Sequence, residues 1–271
     1  MTAPVDLDDA AALVGPLLLE AGELALRWFR TDVEAVDKGS PQGYDPVTEA
    51  DRAVEVHLRS GLSARFPDHE IVGEEDGTSG RAGAVRWVID PIDGTKAYVS
   101  GMPLWGILLG LVVDGRPVAG WVHQPYLRET FAAVGGHGWF ERDDVRRELA
   151  TRRTIDPADA TMYSTHPSMF VTDDEQAAYR RLTGAVRLQR FGGDCYSYCL
   201  LALGHIDLVV ESGLQPYDII PLIPIVRAAG GVVTDRHGRP PLKGGFVIAT
   251  ATPELHARTL ALVNQEAPHS E

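Results

Sequence analysis

The sequence predicts an α/β (α+β) protein in which helices and sheets stack as layers, and three observations carry that prediction. Between Gly106 and Val134 the chain reads as successive apolar runs joined by tight turns, the pattern of antiparallel strands. From about residue 160 onward, strand-like and helix-like segments alternate. Ahead of both stand two segments whose apolar residues recur at helical spacing. With 271 residues and 44% hydrophobic content, the chain can bury a substantial core. We read one domain over 1–271, with an N-terminal α+β half over about 1–145 and a C-terminal α/β half over about 146–271. The polar stretch 141–153, poor in large apolar residues, is the expected join.

Taken in order, residues 7–30 carry Leu13, Leu17, Leu24 and Trp28, which predicts a long amphipathic helix with room for a bend at Pro16. Residues 37–44 are polar and rich in breakers, so a mobile loop covering a site is expected there. A second helix is expected to open at Asp45-Pro46-Val47-Thr48 and run to about Arg65, with Thr48 at its cap and Asp51 three residues on, as in a capping box. Residues 70–77 form a short strand running into an acidic turn, and Trp87 to Ile89 reads as a buried strand. Strands follow at 107–113, 117–123 and 130–134, the first pair joined at Asp114-Gly115.

In the C-terminal half the pattern predicts a strand over 161–164, a helix over 173–182 and a strand over 186–190. A helix over 195–203 and a strand over 206–211 come next. Gln215-Pro216-Tyr217-Asp218 then leads into an apolar helix stopped by Gly230-Gly231, which Pro224 should kink. There is no internal repeat.

The formal net charge of −13 argues against a nucleic-acid polymer as partner, because such affinity comes from basic residues meeting phosphates. A small phosphate ester stays open, since bound cations would reverse the local sign. No apolar run approaches the ~18 residues of a membrane span. An N-terminus with Asp6, Asp8 and Asp9 does not read as a signal sequence, so a cytoplasmic protein is expected. The two cysteines, Cys195 and Cys199, read as small packing residues suited to a reducing compartment. Gly135-Gly136-His137-Gly138 lacks the third glycine of a dinucleotide fingerprint, and no Walker loop, H-E-x-x-H or G-x-S-x-G occurs.

The chemistry concentrates in Trp87-Val88-Ile89-Asp90-Pro91-Ile92-Asp93-Gly94-Thr95-Lys96. An apolar strand delivers Asp90 at its end, and Asp93 comes round to the same side on a turn stiffened by Pro91. Two carboxylates and the Ile92 carbonyl suit a hard cation such as Mg²⁺, which takes oxygen ligands and keeps several waters. Gly94 permits close backbone approach, and a helix starting near Thr95 would offer free N–H groups to an anion. A D-x-x-D-G alone would equally describe an ordinary Asp-rich turn, but this motif is longer.

Asp90-Pro91-Ile92-Asp93-Gly94-Thr95, with the preceding Trp87 and the following Gly101-x-Pro103, resembles the signature of the inositol monophosphatase family of metal-dependent, lithium-sensitive phosphatases. Three further blocks agree, in the family's order. Val47-Thr48-Glu49-Ala50-Asp51 matches its V-T-x-x-D element, whose Asp sits beside the catalytic Thr. Gly73-Glu74-Glu75 matches the acidic turn whose first Glu is a metal ligand. Tyr217-Asp218, opening a helix that closes on Ala229-Gly230-Gly231, matches the second signature, with Tyr217 where Trp is commoner. Each block also has a local reading: a capping box at Thr48 and Asp51, a solvated acidic face at Glu74, and a helix cap at Asp218.

The resemblance implies a layered αβαβα sandwich, commonly homodimeric. Carried over position by position, it implies one Mg²⁺ held by Glu74, Asp90 and the Ile92 carbonyl, a second held by Asp90, Asp93 and Asp218, and a third, weaker ion near Glu74. Such ions clamp the attacking and leaving oxygens of an in-line displacement. It further implies a catalytic set of Thr95, Asp51 and Glu74, with Asp51 orienting Thr95 toward the water. The N–H groups of Gly94 and Thr95 would hold the phosphate, so no covalent phosphoenzyme is needed.

Within the family, Lys96 stands where inositol-cleaving relatives more often carry Asn. Gly192-Gly193-Asp194-Cys195-Tyr196 and the run from Val210 to Asp218 resemble the histidinol-phosphate phosphatase branch, where the residues matching Asp194 and Glu211 face the substrate. That substrate carries an ammonium and an imidazole, which acidic groups can bind. Lys96, Asp194 and Glu211 are therefore the expected substrate contacts, although a strand end at Glu211 and a helix cap at Asp194 are sufficient local accounts. The expectation is Mg-dependent hydrolysis of histidinol phosphate to histidinol and phosphate, a step of histidine biosynthesis. Inositol 1-phosphate is the runner-up, with a 3′-nucleotide bisphosphate or fructose 1,6-bisphosphate behind it. An inactive, metal-binding regulatory homologue is the reading from another class, and the presence of every expected ligand and of Thr95 argues against it.

Overall fold

Helix α1 (Leu7–Leu26) begins where the Asp6 carboxylate accepts from the N–H groups of Asp8 and Asp9 at 2.9 and 3.3 Å. It includes Pro16 but ends short of residue 30. Bonds from the N–H groups of Arg27 and Trp28 to the carbonyls of Leu24 and Ala25 tighten its last turn, and Arg30 takes a left-handed φ of 61° that no helix continues. The computed structural model describes residues 5–32, 35–39 and 46–265, so most of the loop expected over 37–44 lies outside the described residues.

Strands β1 (Val36–Asp37) and β2 (Pro46–Val47) pair just before helix α2 (Glu49–Arg65). Thr48 caps that helix as expected: Asp51 Oδ2 accepts from both the Thr48 N–H at 2.8 Å and its hydroxyl at 2.6 Å. The Thr48 Oγ1 in turn accepts from the Ala50 N–H at 3.1 Å. The capping box read in the sequence is therefore present.

The larger sheet contains β3 (Glu70–Gly73), β4 (Thr78–Gly80), β5 (Val85–Asp93), β6 (Gly106–Val113), β7 (Arg116–Gln124), β8 (Glu129–Val134), β9 (His137–Arg142) and β10 (Val145–Glu148), in the order β10-β9-β8-β7-β6-β5-β3-β4. Helix α3 (Thr95–Val99) follows β5. Asp114 and Gly115 both take positive φ between β6 and β7, as a two-residue hairpin turn of the expected kind requires. The stretch 141–153, the expected join, carries a strand of the larger sheet in its first part. That part closes a hairpin onto β9, and Val145–Glu148 forms an exposed edge strand. Few large apolar residues are needed there because the strand is solvated, and Arg146, Arg147 and Glu148 blunt the open edge.

Strand β5 also corrects the expected tight turn at Asp90 to Asp93. The strand runs on to Asp93, and its register against β6 shifts between these two residues. In a regular strand, residues three apart face opposite sides; the bulge brings both carboxylates to one side.

The smaller sheet holds β11 (Thr161–Ser164), β12 (Leu188–Phe191), β13 (Leu208–Leu214), β14 (Val232–Asp235) and β15 (Gly245–Thr250), in the order β12-β11-β13-β15-β14. Between and after its strands lie α4 (Asp173–Ala185), α5 (Asp194–Ala202), α6 (Pro216–Ile219), α7 (Leu222–Ala228) and α8 (Pro253–Val263). The single kinked helix expected after Asp218 is two helices. The break falls at Ile220-Pro221, and Pro224 sits in the first turn of α7, where its missing N–H is harmless. This junction packs closely on the larger sheet: a Cβ on Gly120 would meet the Pro221 carbonyl oxygen at 1.9 Å.

Three apolar clusters define five layers. Leu18 of α1 and Leu58 and Leu62 of α2 pack on Trp87, Ile89 and Leu109 at one face of the larger sheet. Its other face presents Leu108, Val122 and Phe131 to Tyr198 of α5 and Ile223 of α7, which also meet Val209 and Val247 of the smaller sheet. Beyond, Leu208, Val210 and Ile248 face Leu182 of α4 and Val263 of α8. The alternation of Leu108 with Leu109, and of Leu208 with Val209, is the strand period that lets each sheet bury both faces. The order is α–β–α–β–α, the expected sandwich. No helix among the described residues is long and apolar enough to cross a membrane.

Candidate active site

The β5 bulge, α3, the start of α5 and α6 meet at a cavity of about 880 Å³ lined by both halves of the chain. At its floor, one oxygen each from Asp90, Asp93 and Asp218 lies within 4.8 Å of the others. Asp90 is 1% exposed and its Oδ1 has no hydrogen-bond partner. Burial raises the Asp90 pKa well above the carboxylate range, and the charges of Glu74, Asp93 and Asp218 push the same way. Asp93 is pushed up to about 7, by burial first and then by Asp218. Asp218 is also raised to about 7, by burial and by the charge of Glu74. Like charges gathered out of water are unfavourable unless protons or cations join them. An unpartnered, buried carboxylate oxygen within an all-oxygen donor set fits a hard divalent cation.

Two of these carboxylates are held from outside the cluster. The Cys195 N–H, in the first turn of α5, donates to Asp93 Oδ2 at 2.6 Å. The Gln215 N–H donates to Asp218 Oδ2 at 2.7 Å, so the cap read for Asp218 coexists with its place in the cluster. The cluster-forming trio excludes Glu74, whose Oε1 pairs with Lys38 Nζ at 2.7 Å, although its charge still reaches Asp90. Lys38 also pairs with Glu75 at 2.8 Å. Burial raises Glu74 to about 7 against the pull of Lys38. Burial would lower the Lys38 pKa, but its bonds to Glu74 and Glu75 prevail and raise it.

The expected contact between Asp51 and Thr95 is not among the hydrogen bonds of the described residues. Asp51 Oδ2 is taken by Thr48, while Asp51 Oδ1 is buried without a partner, and the Thr95 hydroxyl donates to the Ile92 carbonyl at 3.0 Å. Burial pushes Asp51 up to about 6 against the Thr48 bonds. Gly94 caps α3 with a φ of 82°, and a Cβ there would stand 3.2 Å from Asp194 Cβ, so a side chain would be both strained and crowded.

Glu211 and Asp194 lie further along the same cavity. Glu211 is buried just before the bulge that ends β13. Its Oε1 accepts from the Thr165 N–H at 3.1 Å and the Thr165 hydroxyl at 2.5 Å, and its Oε2 accepts from the Tyr198 hydroxyl at 3.0 Å. Thr165 Oγ1 also accepts from the Asp194 N–H at 3.0 Å, so one threonine ties both acidic residues together. Asp194 holds a left-handed φ of 42°, a conformation uncommon outside glycine and concentrated at functional sites. Burial raises its pKa, the charges of Asp93 and Glu211 add to that, and Lys96 opposes it. Lys96 itself is exposed at the cavity wall.

Sequence reasoning missed Lys38, Thr165 and Tyr198. Tyr198 carried a usable signal, since it lies one helical turn after Asp194 on a predicted helix. Lys38 and Thr165 sit in connecting segments whose partners only the fold supplies.

The inositol monophosphatase family model matches residues 6–267. The chain belongs to the inositol monophosphatase family. It is 37% identical to the chloroplastic bifunctional phosphatase IMPL2 of Arabidopsis thaliana over 86% of this chain and 66% of that protein. It is 32% identical to a histidinol-phosphatase of Chlorobaculum parvum, over 90% and 92% of the two chains. A solved inositol monophosphatase from Zymomonas mobilis superposes with a TM-score of 0.83 at 32% identity, covering 97% of this chain and all of that one. The family is metal-dependent, and the protein is accordingly a phosphoric monoester hydrolase whose acidic cluster fits a metal.

Proposed function

We propose that this phosphatase hydrolyses histidinol phosphate to histidinol and phosphate with Mg²⁺ as its cation. The observation that carries the reading is the pair Asp194 and Glu211, the latter buried, beside a carboxylate cluster that already suits the phosphate end. A substrate joining a dianionic phosphate to an ammonium matches that division, because the acidic pair repels an anion and binds a cation through charge-assisted hydrogen bonds. The similarity to a histidinol-phosphatase over most of both chains supports the same reading.

Asp90, Asp93 and Asp218, with Glu74 and the Ile92 carbonyl, would hold the Mg²⁺ ions. When bound, Mg²⁺ supplies Lewis-acid polarisation of the phosphoryl group and lowers the pKa of water. The N–H groups of Gly94 and Thr95 hold the phosphate oxygens. Thr95 directs its own proton at the Ile92 carbonyl, which leaves its oxygen free to accept from and orient the attacking water. Asp51 and Glu74, both raised in pKa by burial, are the carboxylates proposed to receive the proton that the oriented water loses. Lys96, Asp194 and Glu211 contact the leaving alcohol. A single domain over 1–271, a homodimeric assembly and a cytoplasmic location complete the proposal, the first supported by the central cluster that joins both halves.

Phosphate release from histidinol phosphate, inositol 1-phosphate, a 3′-nucleotide bisphosphate and fructose 1,6-bisphosphate, each with Mg²⁺ and with chelator, tests the reading. Histidinol phosphate should be turned over best, and only with Mg²⁺. Preference for inositol phosphate would move the assignment to the activity named for the Zymomonas relative.

A further inference from the structure

His166 stands at the lip of the cavity, one residue beyond the Thr165 that holds Glu211. Its ring caps the short 3₁₀ turn Pro167–Met169: Nδ1 lies 3.1 Å from the Ser168 backbone nitrogen and 2.8 Å from Ser168 Oγ. A backbone N–H can only donate, so Nδ1 must accept. The ring proton is thereby placed on Nε2, the nitrogen that has no hydrogen-bond partner among the described residues. The fold thus presents an exposed imidazole with a fixed tautomer and a free donor at the cavity mouth.

We propose that His166 is the specificity-determining contact for the far end of the substrate, donating Nε2–H to the unprotonated nitrogen of the substrate's imidazole. This inference rests on the histidinol phosphate reading and extends it to the third group of that molecule. The order of groups supports it. Asp93 is bonded to Cys195, Cys195 follows Asp194, the Asp194 N–H is bonded to Thr165, and His166 comes next. The substrate has the same order: phosphate, then ammonium on the adjoining carbon, then the ring. Met169 lines the same lip, and its thioether is suited to pack against an aromatic ring. An ester that ends at its ammonium has nothing to offer this donor.

The test compares histidinol phosphate with O-phosphoethanolamine, which keeps the phosphate and the ammonium but has no ring, in Mg²⁺-loaded enzyme. His166→Asn retains a side chain that can cap the turn but is too short to present the donor. Loss of one neutral hydrogen bond should lower the ratio of kcat/KM values, histidinol phosphate over O-phosphoethanolamine, by about two- to tenfold, expressed in KM. His166→Gln, whose amide N–H reaches about as far as Nε2, should restore much of that ratio. An unchanged ratio in His166→Asn overturns the inference alone. Failure of the wild-type enzyme to turn over histidinol phosphate overturns the substrate reading and this inference with it.

Discussion

The Cys195 N–H donates to Asp93 Oδ2 at 2.6 Å, so the first turn of a helix in the C-terminal half fixes a carboxylate that a strand of the N-terminal half delivers. Asp218 joins the cluster from the same C-terminal half. The cluster is therefore assembled only when the two halves pack, and its repulsion is set against that packing.

The first prediction follows from this repulsion. At pH 8 without metal, Asp90→Asn should raise the melting temperature, because it removes a buried carboxyl whose ionisation burial and the neighbouring carboxylates oppose. Relief of about 1 kcal/mol corresponds to roughly 2–4 °C for a chain of this size. Mg²⁺ should stabilise the wild type by mass action and scarcely affect the variant. Differential scanning calorimetry checks both, and an undiminished Mg²⁺ shift in Asp90→Asn would remove Asp90 from the metal site.

The second concerns pH. Glu74, Asp93 and Asp218 each sit at about 7 in the metal-free fold, above their unfolded values near 4. Folded protein then binds more protons than unfolded protein between about pH 4 and 7, so their contribution is present at low pH and lost as pH rises through 7. Metal must displace those protons. Mg²⁺ affinity should climb from pH 5.5 to 7.5, with proton release detectable by titration calorimetry in buffers of different ionisation enthalpy. An affinity independent of pH over that span would contradict the cluster's titration.

Much of this arrangement is legible in the chain itself. The capping box at Thr48 and Asp51, the Asp114-Gly115 hairpin and the alternation after residue 160 are local signals, and local bonds produce them. The β5 bulge is not local: Asp90 and Asp93 share a side because β6 pairs out of register there, which no spacing rule on one strand reveals. The close packing of the α6–α7 junction on the larger sheet needs the missing Cβ of Gly120, a long-range contact that the local pattern does not show. Strands β14 and β15 and helix α8 gave no separate reading, and the pairings of Lys38 with Glu74 and of Thr165 with Glu211 are made across 36 and 46 residues of sequence.

The third prediction separates chemistry from binding at Thr95. Thr95→Ala removes the hydroxyl bonded to the Ile92 carbonyl but leaves the backbone donors of Gly94 and Thr95. Turnover should fall on the order of 10²-fold or more, the usual range for a proton-transfer role. Mg²⁺ and inorganic phosphate affinities, measured by calorimetry, should stay within a few-fold. A collapse of metal affinity would make the hydroxyl a support for the Ile92 ligand instead.

The most direct measurement is kcat/KM of Glu211→Gln on histidinol phosphate and on glycerol phosphate, side by side with the wild type. The substitution is near-isosteric and lies outside the carboxylate trio, so the phosphate end should be retained. Loss of a charge-assisted hydrogen bond of about 1.5–3 kcal/mol predicts a roughly ten- to hundredfold drop on histidinol phosphate. On glycerol phosphate, a neutral-alcohol ester, the drop should be slight. Equal losses on both esters would contradict the account, because Glu211 would then serve the fold or the metals and not the substrate's cation.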